Sequence, residues 1–229
     1  MDAGSASFSL LALFTMGGVF MWPLLFFSVA AIAISLERAI YIFYHNLRLE
    51  DMKEQVERYI QAGNLGEAKR YLGALTKRRI GGRILLALLN HADLSESRME
   101  KVAEAEALSC INSLENGFNF LTALGSLSPL TGFLGTVSGM IGAFKSIAEA
   151  TEVNAQIVAN GIYEALITTV FGLIIAIIAM VAHSLFTHIV DKFAADVEKT
   201  CSDLITALTL RTVREGGSRS AAPPPDAEG

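Results

Sequence analysis

The chain has 229 residues, of which 52% are apolar and only 18% charged, with a net charge of −5 and a mean hydropathy of +0.45. Soluble domains carry roughly a quarter charged residues, so this composition excludes an ordinary soluble domain. The pI near 5.4 gives no basic footprint for nucleic acid. Cys110 and Cys201 form neither a disulfide framework nor a zinc-binding spacing.

The few charges are unevenly placed. Residues 3–36 and 116–144 contain none, and residues 153–190 contain only Glu164. A bilayer-spanning helix needs about 20 apolar residues, and each of these stretches supplies them. Three membrane spans are expected. Of the 18 Lys and Arg, 12 lie between Arg38 and Lys101, 5 between Lys192 and Arg219, and one is Lys145. The excess of basic residues in cytoplasmic loops places the N-terminus outside and residues 46–115 and the C-terminus inside.

In chain order, residues 1–17 (including the apolar run SASFSLLALFTM) suit an interfacial helix on the periplasmic side and not a cleavable signal peptide, since no basic residue precedes the long uncharged run. The first span is expected over 18–45, with Trp22 and the Tyr41/Phe43/Tyr44 cluster as interfacial anchors. Glu37 and Arg38 form a pair near its inner end, read as snorkelling to the headgroups or touching another helix. Residues 46–115 are expected to form a cytoplasmic helical domain. Its breaks fall at Gly63-Asn64 and before Gly81-Gly82, and Ser95-Glu96-Ser97 opens a longer helix. That helix meets no breaker before Gly117 and is expected to enter the second span (116–146) unbroken, roughly 75 Å in all at 1.5 Å per residue. A periplasmic loop (147–157), a third span (158–188), a cytoplasmic helix (189–213) and a tail (214–229) disordered by composition complete the chain.

The second span carries Gly132, Gly135, Gly139 and Gly142 at spacings of three and four. Such a stripe lets another helix approach closely, and Gly135-xxx-Gly139 is a small-xxx-small pattern. Plain helix packing accounts for these glycines. It accounts less well for the hydroxyls of Thr131, Thr136 and Ser138, although a Thr can bond to its own i−4 carbonyl. Pro129 is expected to bend the span. The third span carries a matching stripe of Gly161, Ala165, Thr168, Gly172, Ala176 and Ala179. Glu164 lies beside it, one turn before Thr168. An ionised side chain at the bilayer centre costs about 2.5–3.5 kcal/mol, so such an acid faces a bundle interior or a wet cavity. It either glues helices together as a neutral hydrogen-bonding group or binds and releases protons.

The runs SPLTGFLGTVSGMIGAF and GIYEALITTVFGLIIAI, in this order, closely resemble the MotA/TolQ/ExbB proton-channel family on its ExbB/TolQ branch, as does the opening MGGVFMWPLLFFSVAAIAISLERAIYI. The resemblance covers nearly the whole chain. It implies an all-α polytopic membrane protein of the bacterial inner membrane, assembled as a homopentameric ring with a central pore. The pore of such a ring holds a dimer of an ExbD/TolR-like single-span partner, with a TonB- or TolA-like protein as a further partner, and no cofactor or metal. By motif position, Thr136, Glu164 and Thr169 match the family's polar pore residues. Geometry alone would select Thr168, the i+4 neighbour of Glu164, so both threonines stand as candidates. The family's third span continues GL-x-x-AIPA where this chain reads GLIIAIIA, with Ile178 in place of the proline, and Ser184 stands where Asn is frequent.

The function implied is a proton-driven motor subunit that couples proton-motive force to envelope work such as energised outer-membrane transport. The other readings are a non-conducting membrane scaffold and the stator of a gliding motor. An intramembrane hydrolase is poorly supported: Ser126 and Ser128 have no His or Asp near them in sequence, and His183 and His188 read as interfacial side chains rather than metal ligands.

Overall fold

In the computed structural model, the described residues are Phe14, 17–76, 78–149 and 155–220, and they are helical with no strand among them. The expected N-terminal interfacial helix falls almost wholly outside them. The helices are α1 (Met21–Tyr44), α2 (Glu50–Gln61), α3 (Leu65–Leu75), α4 (Ile80–Asn90), α5 (Glu96–Glu115), α6 (Phe118–Glu149) and α7 (Ala155–Ser220). Three helical segments, within α1, the α5–α6 region and α7, are long and apolar enough to cross a membrane. The chain divides into two compact units, one drawn from Met1–Arg38 and Gly117–Thr187, the other from Ala39–Asn116 and His188–Gly229.

The sequence expectation of one helix over about 95–145 is corrected. The chain breaks at Asn116-Gly117: Asn116, which caps the end of α5, has a ψ of 127°, and Gly117 takes a φ of +91°. That left-handed conformation costs glycine nothing and other residues about 1–2 kcal/mol. The break sits against α1, because a Cβ on Gly117 would lie 3.5 Å from Ile34 Cγ2 and 3.8 Å from Arg38 Nε. In the opposite sense, α7 continues without interruption from the apolar stretch through 189–213 and on to Ser220, into the segment expected to be a disordered tail. Ile178 keeps the backbone N–H that a proline at this position would lack. Pro129 lies inside α6, which continues through it.

The first unit packs through a small apolar centre. Met21, Leu24 and Ala31 of α1 meet Leu124 of α6 and Ile167, Ile175 and Ala179 of α7. Its outward side chains are also apolar: Phe26, Ile32 and Leu36 of α1, Phe133 and Ile141 of α6, and Ile177 of α7 are each more than half exposed. An apolar exterior of this extent suits lipid or neighbouring subunits and not water.

The second unit has the opposite arrangement. Met52, Val56 and Ile60 recur every fourth residue on α2, and Ala68 and Leu72 do the same on α3. Also buried in this unit are Ile84, Leu85, Leu88 and Leu89 of α4, Met99, Ala103 and Leu114 of α5, and Val197, Leu204 and Leu208 of α7. Fully burying such side chains contributes about 1.5–3 kcal/mol each when the exterior is aqueous. The outer faces carry ion pairs: Lys53 with Asp203 at 2.6 Å, Arg79 with Asp51 at 3.8 Å, and Arg83 with Glu106. The Asp203 carboxylate accepting from Lys53 raises the ammonium pKa above its ordinary value, against the opposing effect of desolvation.

Candidate functional site

The glycine stripes of the two long apolar helices face one another. A Cβ on Gly132 would lie 2.8 Å from the Thr168 carbonyl oxygen and 3.0 Å from Thr169 Cα. On Gly172 it would come within 2.5 Å of the Ser128 carbonyl oxygen, and on Gly161 within 2.5 Å of Ala143 Cβ. Gly135 abuts the Thr168 hydroxyl, and Gly139 abuts Ala165. Backbone thus meets backbone along the seam, which no larger residue would allow. Gly142 departs from its expected packing role: a Cβ there meets no atom within 4 Å, so in this chain it lines open space.

Close approach brings hydroxyls and carbonyls of the two helices within bonding range. Thr136 and Thr169 share a hydrogen bond between their hydroxyls. Thr169 Oγ1 donates to the Gly132 carbonyl at 3.2 Å, and Thr136 Oγ1 approaches the Ala165 carbonyl at 3.1 Å. Thr168 Oγ1 lies 2.8 Å from the Ala165 carbonyl and 3.3 Å from the Gly132 carbonyl, and the residue is buried. The structure therefore pairs Thr136 with Thr169, while Thr168 is packed inside the seam against Gly135. Of the other hydroxyls of α6, those of Ser126, Ser128 and Thr131 each donate to the carbonyl four residues earlier, at 2.6–3.1 Å.

Glu164 projects into a cleft of about 380 Å³. The cleft is lined by Gly17, Val19 and Phe20 ahead of α1, by Gly135, Ser138, Gly139, Gly142, Ala143 and Ser146 of α6, and by Asn160 and Gly161 of α7. The cleft is polar enough and large enough to hold water. Asn160 and Ser146 were not singled out from the sequence. Asn160 could have been found, because it lies four residues before Glu164 and so shares its helical face. The wall made by Gly17, Val19 and Phe20 could not, since it lies more than a hundred positions from Glu164 in the chain.

Glu37 and Arg38 pair with each other. Arg38 Nε and Nη2 donate to the Glu37 carboxylate at 2.5 and 2.6 Å, and Arg38 is only 8% exposed, lying beside Gly117. Arg38 is thus placed at the Asn116-Gly117 break. His183 packs edge-on to Phe118 with ring centroids 5.9 Å apart, and His188 is exposed.

The sequence model of the MotA/TolQ/ExbB proton channel family matches residues 76–199, which include the whole glycine seam and Glu164. The putative biopolymer transport protein ExbB-like 1 of Synechocystis is 33% identical over 201 residues, covering 80% of this chain and 74% of that protein. The biopolymer transport protein exbB1 of Vibrio cholerae is 30% identical over 216 residues, covering 92% and 93%. The Tol-Pal system protein TolQ of Haemophilus influenzae is 39% identical over 98 residues, 43% of each chain. With three apolar helices, an acid in a polar cleft and these likenesses, the chain belongs to the MotA/TolQ/ExbB proton channel family, on its ExbB/TolQ-like branch, and is a multi-pass inner-membrane subunit of an energy-transducing proton channel.

Proposed function

We propose that the chain is the ring subunit of a proton-driven motor, working with an ExbD/TolR-like single-span partner in a pore enclosed by five copies. The observation that carries this reading is Glu164, the one Asp, Glu, Lys or Arg between Val153 and Asp191, which opens onto a polar cleft on the helix that also contributes Thr169. A packing role alone gives no reason to keep a carboxyl there, given the cost of carrying one in a membrane. In this reading the N-terminus is periplasmic, and residues 46–115 and the C-terminal end are cytoplasmic, as the distribution of Lys and Arg requires.

Protons enter from the periplasmic side, exchange with Glu164, pass the Thr136–Thr169 pair, bind transiently to an acid on the partner helix and leave to the cytoplasm. Each charge crossing releases about 2.3 kcal/mol per 100 mV. Work on the outer membrane therefore needs several protons or repeated strokes. The driven process is energised envelope transport of the kind that the relatives' names describe, through a TonB- or TolA-like protein.

The test is potential-driven proton flux into liposomes holding the chain and its single-span partner, with Glu164→Gln alongside. Flux in the natural protein that drops to the leak of empty liposomes in the variant supports the relay. Flux unchanged by the variant removes Glu164 from the path. No flux from an assembled natural complex favours a scaffold, for which the glycine seam would serve equally well.

A further inference from the structure

The turn that precedes α1 is shaped around the Glu164 carboxyl. Gly18 has a φ of +64°, and a Cβ built on it would overlap Glu164 Oε1, with Cδ at 3.1 Å and Cγ at 3.7 Å. The acid's outer half thus lies along the bare face of Gly18. The adjoining Gly17 is buried, and a Cβ there would strike Met21 and come to 3.5 Å from Ile167 Cγ2, on the residue three beyond Glu164. Both glycines therefore hold this turn against the one stretch of α7 that carries the carboxyl.

A positive φ is by itself a sufficient reason for glycine, and Gly63 shows what that reason looks like alone. Its φ is +82°, and the atom nearest to a Cβ there is Arg211 Nη2 at 3.9 Å. Gly63 needs the backbone freedom and has room to spare. Gly18 needs the freedom and the room, and the room is taken by a carboxylate oxygen.

We propose that Gly18 is a positioning residue for proton relay: by lacking a side chain it admits the Glu164 carboxyl to the wall of the cleft ahead of α1. This rests on the reading of Glu164 as the relay. Proton transfer needs donor and acceptor within about 2.6–3.2 Å, directly or through one water. A methyl group at position 18 would overlap Glu164 Oε1, so the carboxyl has to shift from its seat.

The test uses the full complex in liposomes with four variants: Gly18→Ala, Glu164→Asp, the two combined, and Gly63→Ala. Aspartate is one methylene shorter, which withdraws the carboxyl by about 1.5 Å and leaves space for the added methyl. Gly18→Ala is expected to lower flux by about 10-fold or more, as an ångström-scale misplacement does. Gly63→Ala, which strains the backbone without meeting the acid, leaves flux within about 2-fold. Added to Glu164→Asp, Gly18→Ala costs less than about 2-fold, because the contact it disturbs is already gone. Equal losses from Gly18→Ala in the Glu and Asp backgrounds, or no loss in either, overturn the proposal.

The infrared carboxyl bands that vanish in Glu164→Gln supply a readout independent of conduction. They shift in Gly18→Ala and stay in place in Gly63→Ala if the contact is as described, and bands unmoved by Gly18→Ala contradict it. Should Glu164→Gln conduct like the natural protein, the relay reading fails on the flux measurement, while the infrared bands still decide the contact.

Discussion

The two units of this chain are held together by different physics. In the second, large aliphatic side chains such as Leu88 and Leu204 are fully buried and charges pair on the outside, the arrangement that water imposes. In the first, the most intimate contacts are made by the smallest residues, with Gly132 against Gly172 and Gly161 against Ala143. Lipid is as apolar as leucine, so helices there gain little from burying leucine and rely on close packing and hydrogen bonds between helices. The same closeness brings the hydroxyls of Thr136 and Thr169 together. The contacts that assemble the first unit are thus also the ones that position its polar groups, whereas in the second unit the packing and the polar surface are separate.

The contrast yields predictions that differ in size. Gly135→Leu should have the largest effect: a Cβ alone would already lie 2.5 Å from Thr168 Oγ1, so the seam must open and the protein should fail to accumulate as an assembled complex in detergent extracts. Leu88→Ala in the second unit removes a fully buried side chain and should cost about 2–5 kcal/mol, read as a lower denaturant midpoint. If Gly135→Leu assembled normally while Leu88→Ala did not, the claimed division would be broken.

Thr169→Val sharpens the same comparison. It keeps the shape and removes the bond to Thr136, so it should cost about 0.5–1.5 kcal/mol in stability while lowering proton flux several-fold. The smallest effect concerns Cys201. Burial pushes its thiol from 9.0 up to about 11, so at neutral pH it remains protonated and its thiolate fraction falls about 100-fold below that of an ordinary thiol. Maleimide should label it slowly at pH 7–8, faster as pH rises toward 11 and rapidly once the protein is unfolded. Rapid labelling of the folded protein at neutral pH would mean that the second unit opens readily.

Much of this was legible in the sequence, because a membrane makes its demands in plain composition. The charge-free runs gave the three apolar helices, and the spacing of Gly132, Gly135 and Gly139 gave the seam. Local chemistry likewise announced the helix starts near Ser95 and Gly81. Other features depend on which residues meet in space. The Asn116-Gly117 break was visible as a glycine, yet only its contact with Ile34 and Arg38 explains why the helix turns there. Arg38 carried a charge that left headgroups and another helix both open, and its burial beside that break has no local signature. The choice between Thr168 and Thr169 turned on rotation about the helix axis, which sequence spacing left open. The Gly18–Glu164 contact joins residues far apart in the chain and has no local signature.

The central claim is that in the first unit packing belongs to the glycine seam and proton exchange to Glu164. The most direct test is one preparation of Glu164→Gln with its single-span partner, with assembly followed by native mass spectrometry and proton flux followed in liposomes. The account predicts an intact complex that passes no more protons than protein-free liposomes do. An intact complex conducting at the rate of the natural protein would contradict it.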